Sequence, residues 1–80
     1  MKIQILFFGI AAEIVETSST YIEVVEASTV ANVKNFLQKN YAQLKHLNSY
    51  AIAVNESYAP DDLALKNNDI IAVIPPVSGG

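Results

Sequence analysis

Apolar and polar positions alternate along Lys2 to Phe8, where Ile3, Ile5 and Phe7 share one face of an extended segment and Gln4, Leu6 and Phe8 the other. This predicts a first strand, punctuated by Gly9. Ile10 to Glu16 combines Ala, Glu and Ile without a breaker and predicts a short helix. Thr17-Ser18-Ser19-Thr20 predicts a polar turn, and the β-branched and aromatic run Tyr21 to Val25 a second strand, antiparallel to the first. From Ser28 the period changes. Ser28 and Thr29 offer N-caps, and Val30, Val33, Leu37, Tyr41 and Leu44 follow at helical spacing on one face, with Phe36 widening the stripe. Asn32, Asn35, Lys39 and Gln43 form the opposite face. Lys39, Lys45 and His46 fall late, where positive charge suits the helix dipole, and Asn48 and Ser49 end the helix. Tyr50 to Val54 predicts a third strand. Asn55-Glu56 starts a turn, Tyr58 begins a short fourth strand or bridge, and Pro60-Asp61-Asp62 turns the chain again as a solvated turn or cap. Lys66-Asn67-Asn68-Asp69 is a turn whose Asn residues suit positive φ. Ile70 to Ile74 is a last strand, stopped by Pro75-Pro76, which cannot donate to a ladder.

One long helix therefore covers one face of a four- to five-stranded sheet, an α+β layer arrangement. The first and last strands are the most apolar, which places them together in the middle of the sheet: the β-grasp architecture. Ile3, Ile5, Phe7, Ile52, Val54, Ile71 and Val73 are assigned to the helix side. Parity then puts Gln4, Leu6, Phe8, Ala51, Ala53, Ile70, Ala72 and Ile74 on the other. A solvated sheet face turns polar at alternate positions; here Leu6, Phe8, Ala53, Ala72 and Ile74 are expected to lie exposed as one apolar patch. Such patches mark interaction surfaces, and burying about 400 Å² of one contributes on the order of 10 kcal/mol before association costs. The plainer account is that the central strands of a small sheet are apolar and the short helix or the loops cover them.

Composition narrows the function. The 80 residues include five Lys, no Arg and eight Asp plus Glu, a net charge of −3, with half of the positions apolar and no Cys or Trp. The length fits a single domain, and the apolar content excludes disorder. Without Cys there is no disulfide framework, thiolate metal site or thiol nucleophile. Nucleic acid requires a basic face, which five scattered lysines (Lys2, Lys34, Lys39, Lys45 and Lys66) do not make; they read as solubilising. The longest uncharged apolar stretches, Ile5 to Ala12 and Ile70 to Val77, fall short of the roughly 20 residues of a membrane span. The apolar run behind Met1-Lys2 alternates, meets Glu13 and Glu16 and has no small-residue cleavage site, so a strand of a cytoplasmic protein is expected rather than a signal peptide. So small a domain has little room for a deep pocket, which argues against a self-contained active site. His46 alone makes no metal site, and Ser18-Ser19 have no neighbouring His to form a triad.

The end of the chain is the other unusual feature. Four residues, Val77-Ser78-Gly79-Gly80, follow the prolines and reach roughly 13 Å when extended. This divides the chain into a folded domain over residues 1–76 and a flexible tail over residues 77–80. Glycine costs chain entropy on ordering, so Gly79-Gly80 does nothing for the fold. What it offers is access: without Cβ atoms, the terminal carbonyl can enter a narrow channel and be approached from either side. The terminal carboxylate, ionised at neutral pH, is a poor electrophile until converted to a mixed anhydride. Such a tail suits a substrate of an ATP-using activating enzyme, and the alternative is a frayed end.

Taken together, Ile5-Leu6-Phe7-Phe8, Ser28-Thr29-Val30, Ala53-Val54-Asn55, Asn68-Asp69-Ile70 and, most specifically, Pro75-Pro76-Val77-Ser78-Gly79-Gly80 make the chain resemble the small, sulfur-carrier subunits of molybdopterin synthase over nearly its whole length. The resemblance implies a ubiquitin-like β-grasp fold and a co-substrate subunit of a sulfurtransferase complex rather than a free-standing enzyme. It implies that the Gly80 carboxylate is adenylated by an E1-like adenylyltransferase using ATP and converted to a thiocarboxylate. The sulfur is then given to cyclic pyranopterin monophosphate inside the large synthase subunit, into which Val77, Ser78 and Gly79 thread. Two small subunits flank a dimer of large ones in a 2:2 heterotetramer, and this chain itself holds no cofactor. Leu6, Phe8, Tyr58, Ile74, Pro75 and Pro76 fall where the family meets its partner. Two positions depart from the family's habit: Ala12 precedes Glu13 where many relatives carry Arg-Glu, and Ser78 stands where Thr is common. The same tail chemistry would serve a thiamine-type or tRNA-thiolation sulfur carrier or a ubiquitin-like modifier. A β-grasp binding module that only scaffolds a partner would use the sheet face and not the tail.

Overall fold

In a computed structural model that describes residues 1–47 and 50–75, the alternating apolar segments form β1 (Lys2–Phe7), β2 (Ser19–Glu23), β3 (Ala51–Val54), β4 (Ser57–Tyr58) and β5 (Ile70–Ile74). These strands make one mixed sheet in the order β2-β1-β5-β3-β4. β1 and β5 are neighbours, as their apolar content predicts; they run parallel, and every other pairing is antiparallel. Two helices, α1 (Gly9–Val15) and α2 (Val30–Asn40), complete the β-grasp arrangement together with a 3₁₀ helix at Ala42–His46. The core is the layer between sheet and helices: Ile3, Ile5, Phe7, Ile52, Val54, Ile71 and Val73 meet Val30, Val33, Leu37 and Leu44, all buried. No helix is long and apolar enough to cross a membrane among the described residues.

β2 starts two residues earlier than its composition suggests, so Ser19 and Thr20 belong to a strand and not to a turn. The register explains this: Ser19 lies opposite Leu6 and Thr20 opposite Ile5, and the Phe7 N–H donates to the Ser18 carbonyl at 2.9 Å. The strand also ends at Glu23 instead of Val25, because its partner runs out. Glu23 faces Lys2, and the last two bonds join Met1 and Val24: the Val24 N–H donates to the Met1 carbonyl at 2.8 Å and the Met1 ammonium to the Val24 carbonyl at 2.6 Å.

The predicted long helix is divided. Thr29 caps α2: its Oγ1 accepts from the Asn32 N–H at 3.3 Å while its own N–H donates to Asn32 Oδ1 at 2.8 Å. This is a capping box closed by Asn instead of the usual Glu or Gln. At the far end the Asn40 side chain donates to the Phe36 carbonyl at 2.9 Å, the kind of local side-chain bond that competes with helix propagation. Tyr41 then leaves the helical region at φ −128°, ψ 68°, which lets its ring pack edge-on against Phe7 with centroids 5.4 Å apart. The chain resumes as the 3₁₀ helix, which still buries Leu44. The apolar stripe survives although the single helix does not. The expected helix end at Asn48 and Ser49 lies outside the described residues.

Candidate functional site

The sheet face away from α2 is built by parity. Across its middle row lie Ser19, Leu6, Ala72, Ala53 and Tyr58, each opposite the next in register. The row towards the end of β5 holds Ile74 opposite Ala51, and Phe8 follows β1 in the same direction. The row below has Tyr21, Gln4 and Ile70 in line. Among the large apolar side chains, Phe8 remains 48% exposed, Ile70 41% and Tyr58 75%, while Leu6, Ala72 and Ile74 are half-buried. The face is therefore apolar and open, with one correction. Ala53, expected to be exposed, is buried at 5%, because its single methyl lies between the register partners Ala72 and Tyr58.

A shallow groove of about 360 Å³ crosses this face. Leu6, Phe8, Ile70 and Ala72 form its apolar lining, and Asn55 and Glu56, at the turn between β3 and β4, form its polar edge. That turn is pinned to the start of β5. The Asn55 N–H donates to the Ile70 carbonyl at 2.8 Å, and the Ile70 N–H donates to Asn55 Oδ1 at 3.0 Å. Asn55 Nδ2 in turn donates to Asp69 Oδ1 at 3.0 Å, and the other oxygen of Asp69 accepts from the Lys66 N–H at 2.7 Å. Asn68 adopts the positive φ, 72°, that its turn predicts. This polar clasp fixes where β5 begins.

The other end of β5 leads to the tail. The Phe8 N–H donates to the Val73 carbonyl at 3.2 Å, and Gly9 turns the chain beside Pro75 with φ +52°. A Cβ at Gly9 would stand 3.4 Å from Pro75 Cγ and would require a left-handed backbone that L-residues disfavour. The exit of β1 and the exit of β5 are thus held together, with Phe8, Ile74 and Pro75 on adjacent strand ends. Of the predicted site residues, Leu6, Phe8, Tyr58, Ile74 and Pro75 are brought to this face or its end. Pro76, Val77, Ser78, Gly79 and Gly80 lie outside the described residues. No cluster of three or more His, Cys, Asp or Glu side chains is placed to hold a metal ion among the described residues.

The sequence profile of the ThiS family matches residues 5–80, from the middle of β1 to the last glycine. The chain belongs to the ThiS family. It is 35% identical to the molybdopterin synthase sulfur carrier subunit of Mycobacterium tuberculosis, with all of this chain and 99% of that protein covered. Among solved structures it is similar to SAMP1 from Haloferax volcanii, at a TM-score of 0.88 and 21% identity with both chains fully covered, a likeness of fold. It is also similar, at a TM-score of 0.75 and 28% identity over the whole of both chains, to a chain in the complex of subunits 1 and 2 of the molybdopterin-converting factor from Helicobacter pylori. The resemblance drawn from the strand, helix and tail motifs therefore holds over the full length of a ThiS-family domain.

One feature of this ThiS-family domain escaped the pattern of its sequence. Asn55 and Glu56 read as a plain turn, yet they edge the groove; the adjacent apolar run Ala51 to Val54 signals a hairpin but not which face its turn borders. Asp61, read as a solvated turn or cap, is both: it is exposed in a turn, and its carbonyl accepts from the Ala31 N–H in the first turn of α2 at 2.9 Å, while its carboxylate pairs with Lys34 Nζ at 2.7 Å. Both partners are partly or largely open to solvent, and an exposed pair of this kind contributes little to stability.

Proposed function

We propose that this chain carries sulfur for molybdopterin synthase on the carboxyl end of Gly80. An oxygen of the Gly80 carboxylate attacks the α-phosphorus of ATP held by an E1-like adenylyltransferase. Pyrophosphate leaves, and the acyl-adenylate makes the carbonyl carbon electrophilic. A sulfur nucleophile at the sulfide level adds to that carbon, and AMP departs with the C–O bonding electrons, leaving a thiocarboxylate. Val77, Ser78 and Gly79 lead it into the large synthase subunit, where the sulfur bonds to a side-chain carbon of cyclic pyranopterin monophosphate as an oxygen substituent leaves that carbon; water then cleaves the acyl–sulfur bond, returning the Gly80 carboxylate and leaving the sulfur on the pterin, and two such deliveries supply the dithiolene. In this reading two copies of the chain flank a dimer of large subunits. The apolar face around Leu6, Phe8, Tyr58 and Ile74, with Pro75 and Pro76 at its end, is the surface that meets the partner.

The observation that carries the reading is the design of β5. Ala72 and Ile74 face outwards on the apolar sheet surface, and the same strand leads directly into Pro75-Pro76-Val77-Ser78-Gly79-Gly80. A partner seated on the face is then within one short tail of the reactive end. Full-length similarity to a molybdopterin synthase sulfur carrier subunit supports the choice of pathway.

The test is reconstitution with adenylyltransferase, ATP, a sulfide source and the large subunit. Removal of Gly79 and Gly80 is expected to abolish molybdopterin formation and leave the melting temperature unchanged. A truncated chain that still supports molybdopterin formation overturns the proposal. Loading with sulfur but delivery only to a thiazole or tRNA acceptor would assign the chain to a different carrier pathway.

A further inference from the structure

The turn between β3 and β4 has a conformation that its sequence does not favour. Val54 and Ser57 are the last paired residues, so Asn55 and Glu56 form a two-residue hairpin loop. Their φ values, +49° and +73°, are both positive, the signature of a type I′ turn. Asn suits the first position and Gly the second. Glu at φ +73° carries a Cβ into a region that costs roughly 1 kcal/mol or more for an L-residue. Closure of the hairpin requires the positive φ, which Gly would supply without the cost; among the described residues no contact of the Glu56 side chain repays it. Glu56 is exposed, and its carboxylate takes part in no ion pair or side-chain hydrogen bond among the described residues. The preceding residue, by contrast, is fixed on three hydrogen bonds to Ile70 and Asp69, so the turn holds Glu56 in a defined place.

That place is the edge of the apolar groove, where Glu56 is the one charged residue among the described residues that line it. We propose that Glu56 is a specificity-determining residue for the partner that covers this face. It receives a lysine or arginine of that partner while a neighbouring apolar side chain of the partner enters the groove over Leu6, Phe8, Ile70 and Ala72. This rests on the reading above that the occupant is the large synthase subunit. The charge is the element that discriminates, because an apolar floor accepts many apolar surfaces whereas an unpaired carboxylate at its edge penalises those that bring no cation. The hairpin fixes the backbone, and the contact outside the chain accounts for Glu standing where Gly would fit without strain.

Two substitutions separate backbone from charge. Glu56→Gln keeps the Cβ and the strain but removes the charge; Glu56→Gly removes both. Calorimetric titration of the purified large subunit into each protein, at low and at high salt, is expected to show about five- to tenfold weaker binding for both variants at low salt. The difference from wild type should shrink at high salt. Thermal unfolding should place Glu56→Gly about 4 °C above wild type and Glu56→Gln near it. Glu26→Gln, an exposed carboxylate outside the groove, should bind as wild type does. If wild type binds and both Glu56 variants bind within twofold of it, the assignment of Glu56 is overturned while the carrier reading stands. A large subunit that does not bind wild type at all overturns both. A melting temperature for Glu56→Gly at or below that of wild type overturns the claim that Glu strains this turn.

Discussion

Tyr58 gives the sharpest separation between the fold and the surface it presents. It sits on β4 at the edge of the sheet, opposite Ala53, with 75% of its surface exposed. An aromatic side chain offers about 200 Å². Roughly 150 Å² of it is therefore free to be covered by a partner, and about 50 Å² is already covered by the chain. At about 25 cal/mol per Å², full coverage by the partner contributes nearly 4 kcal/mol, and coverage of half the free area about 2 kcal/mol. The intramolecular contact is worth about 1 kcal/mol on the same scale. Tyr58→Ala should thus weaken binding of the large subunit by at least about 30-fold, yet lower the melting temperature by only about 4–8 °C. Titration calorimetry and thermal unfolding of the same preparations measure the two quantities. Affinity within twofold of wild type would refute the assignment of this face as the docking surface. A collapse of the fold on substitution would refute the claim that Tyr58 stands outside the core.

The same reasoning extends to other positions. Phe8→Glu and Ile74→Glu place a charge on the apolar face and are each expected to raise the dissociation constant for the large subunit more than tenfold; unchanged affinity in both variants would contradict the parity argument. Ile5→Ala removes a fully buried side chain from the strand at the centre of the core and should cost about 2–5 kcal/mol in a denaturant titration. Thr29→Ala removes the half of the capping box in which Oγ1 accepts from the Asn32 N–H, leaves the backbone N–H of residue 29 to donate to Asn32 Oδ1, and should cost about 1 kcal/mol by the same measurement.

Most of the architecture was legible from alternation alone. The period of two along Lys2 to Phe8 and Ile70 to Ile74 set which residues face α2, and the register of β1 with β5 and of β5 with β3 bears out each assignment. Two of the misplaced boundaries share a cause. Ser19 and Thr20 have turn chemistry, but pairing with Leu6 and Ile5 decides their state. Tyr41 has the right spacing for a helix, but its contact with Phe7 and the Asn40 side-chain bond decide otherwise. Local composition carries no information about either long-range contact. The candidate site was legible to the extent that it rests on parity: an apolar outer face was visible as soon as the sheet had only one helical cover. The edge of the groove was not. Positive φ at Glu56, Glu16 and Ala27 goes against what those residue types prefer, and only the closure of the hairpin fixes it at Glu56.

The claim on which the functional account depends is that the reacting group is the main-chain carboxyl of Gly80. It is tested most directly by the mass of the native protein purified from its own cells, measured intact and again on the C-terminal peptide. The account predicts a fraction of molecules heavier by one sulfur-for-oxygen exchange, confined to the peptide ending in Gly79-Gly80 and abolished when the adenylyltransferase is deleted. A C-terminal peptide that never carries sulfur in cells making molybdopterin would contradict it.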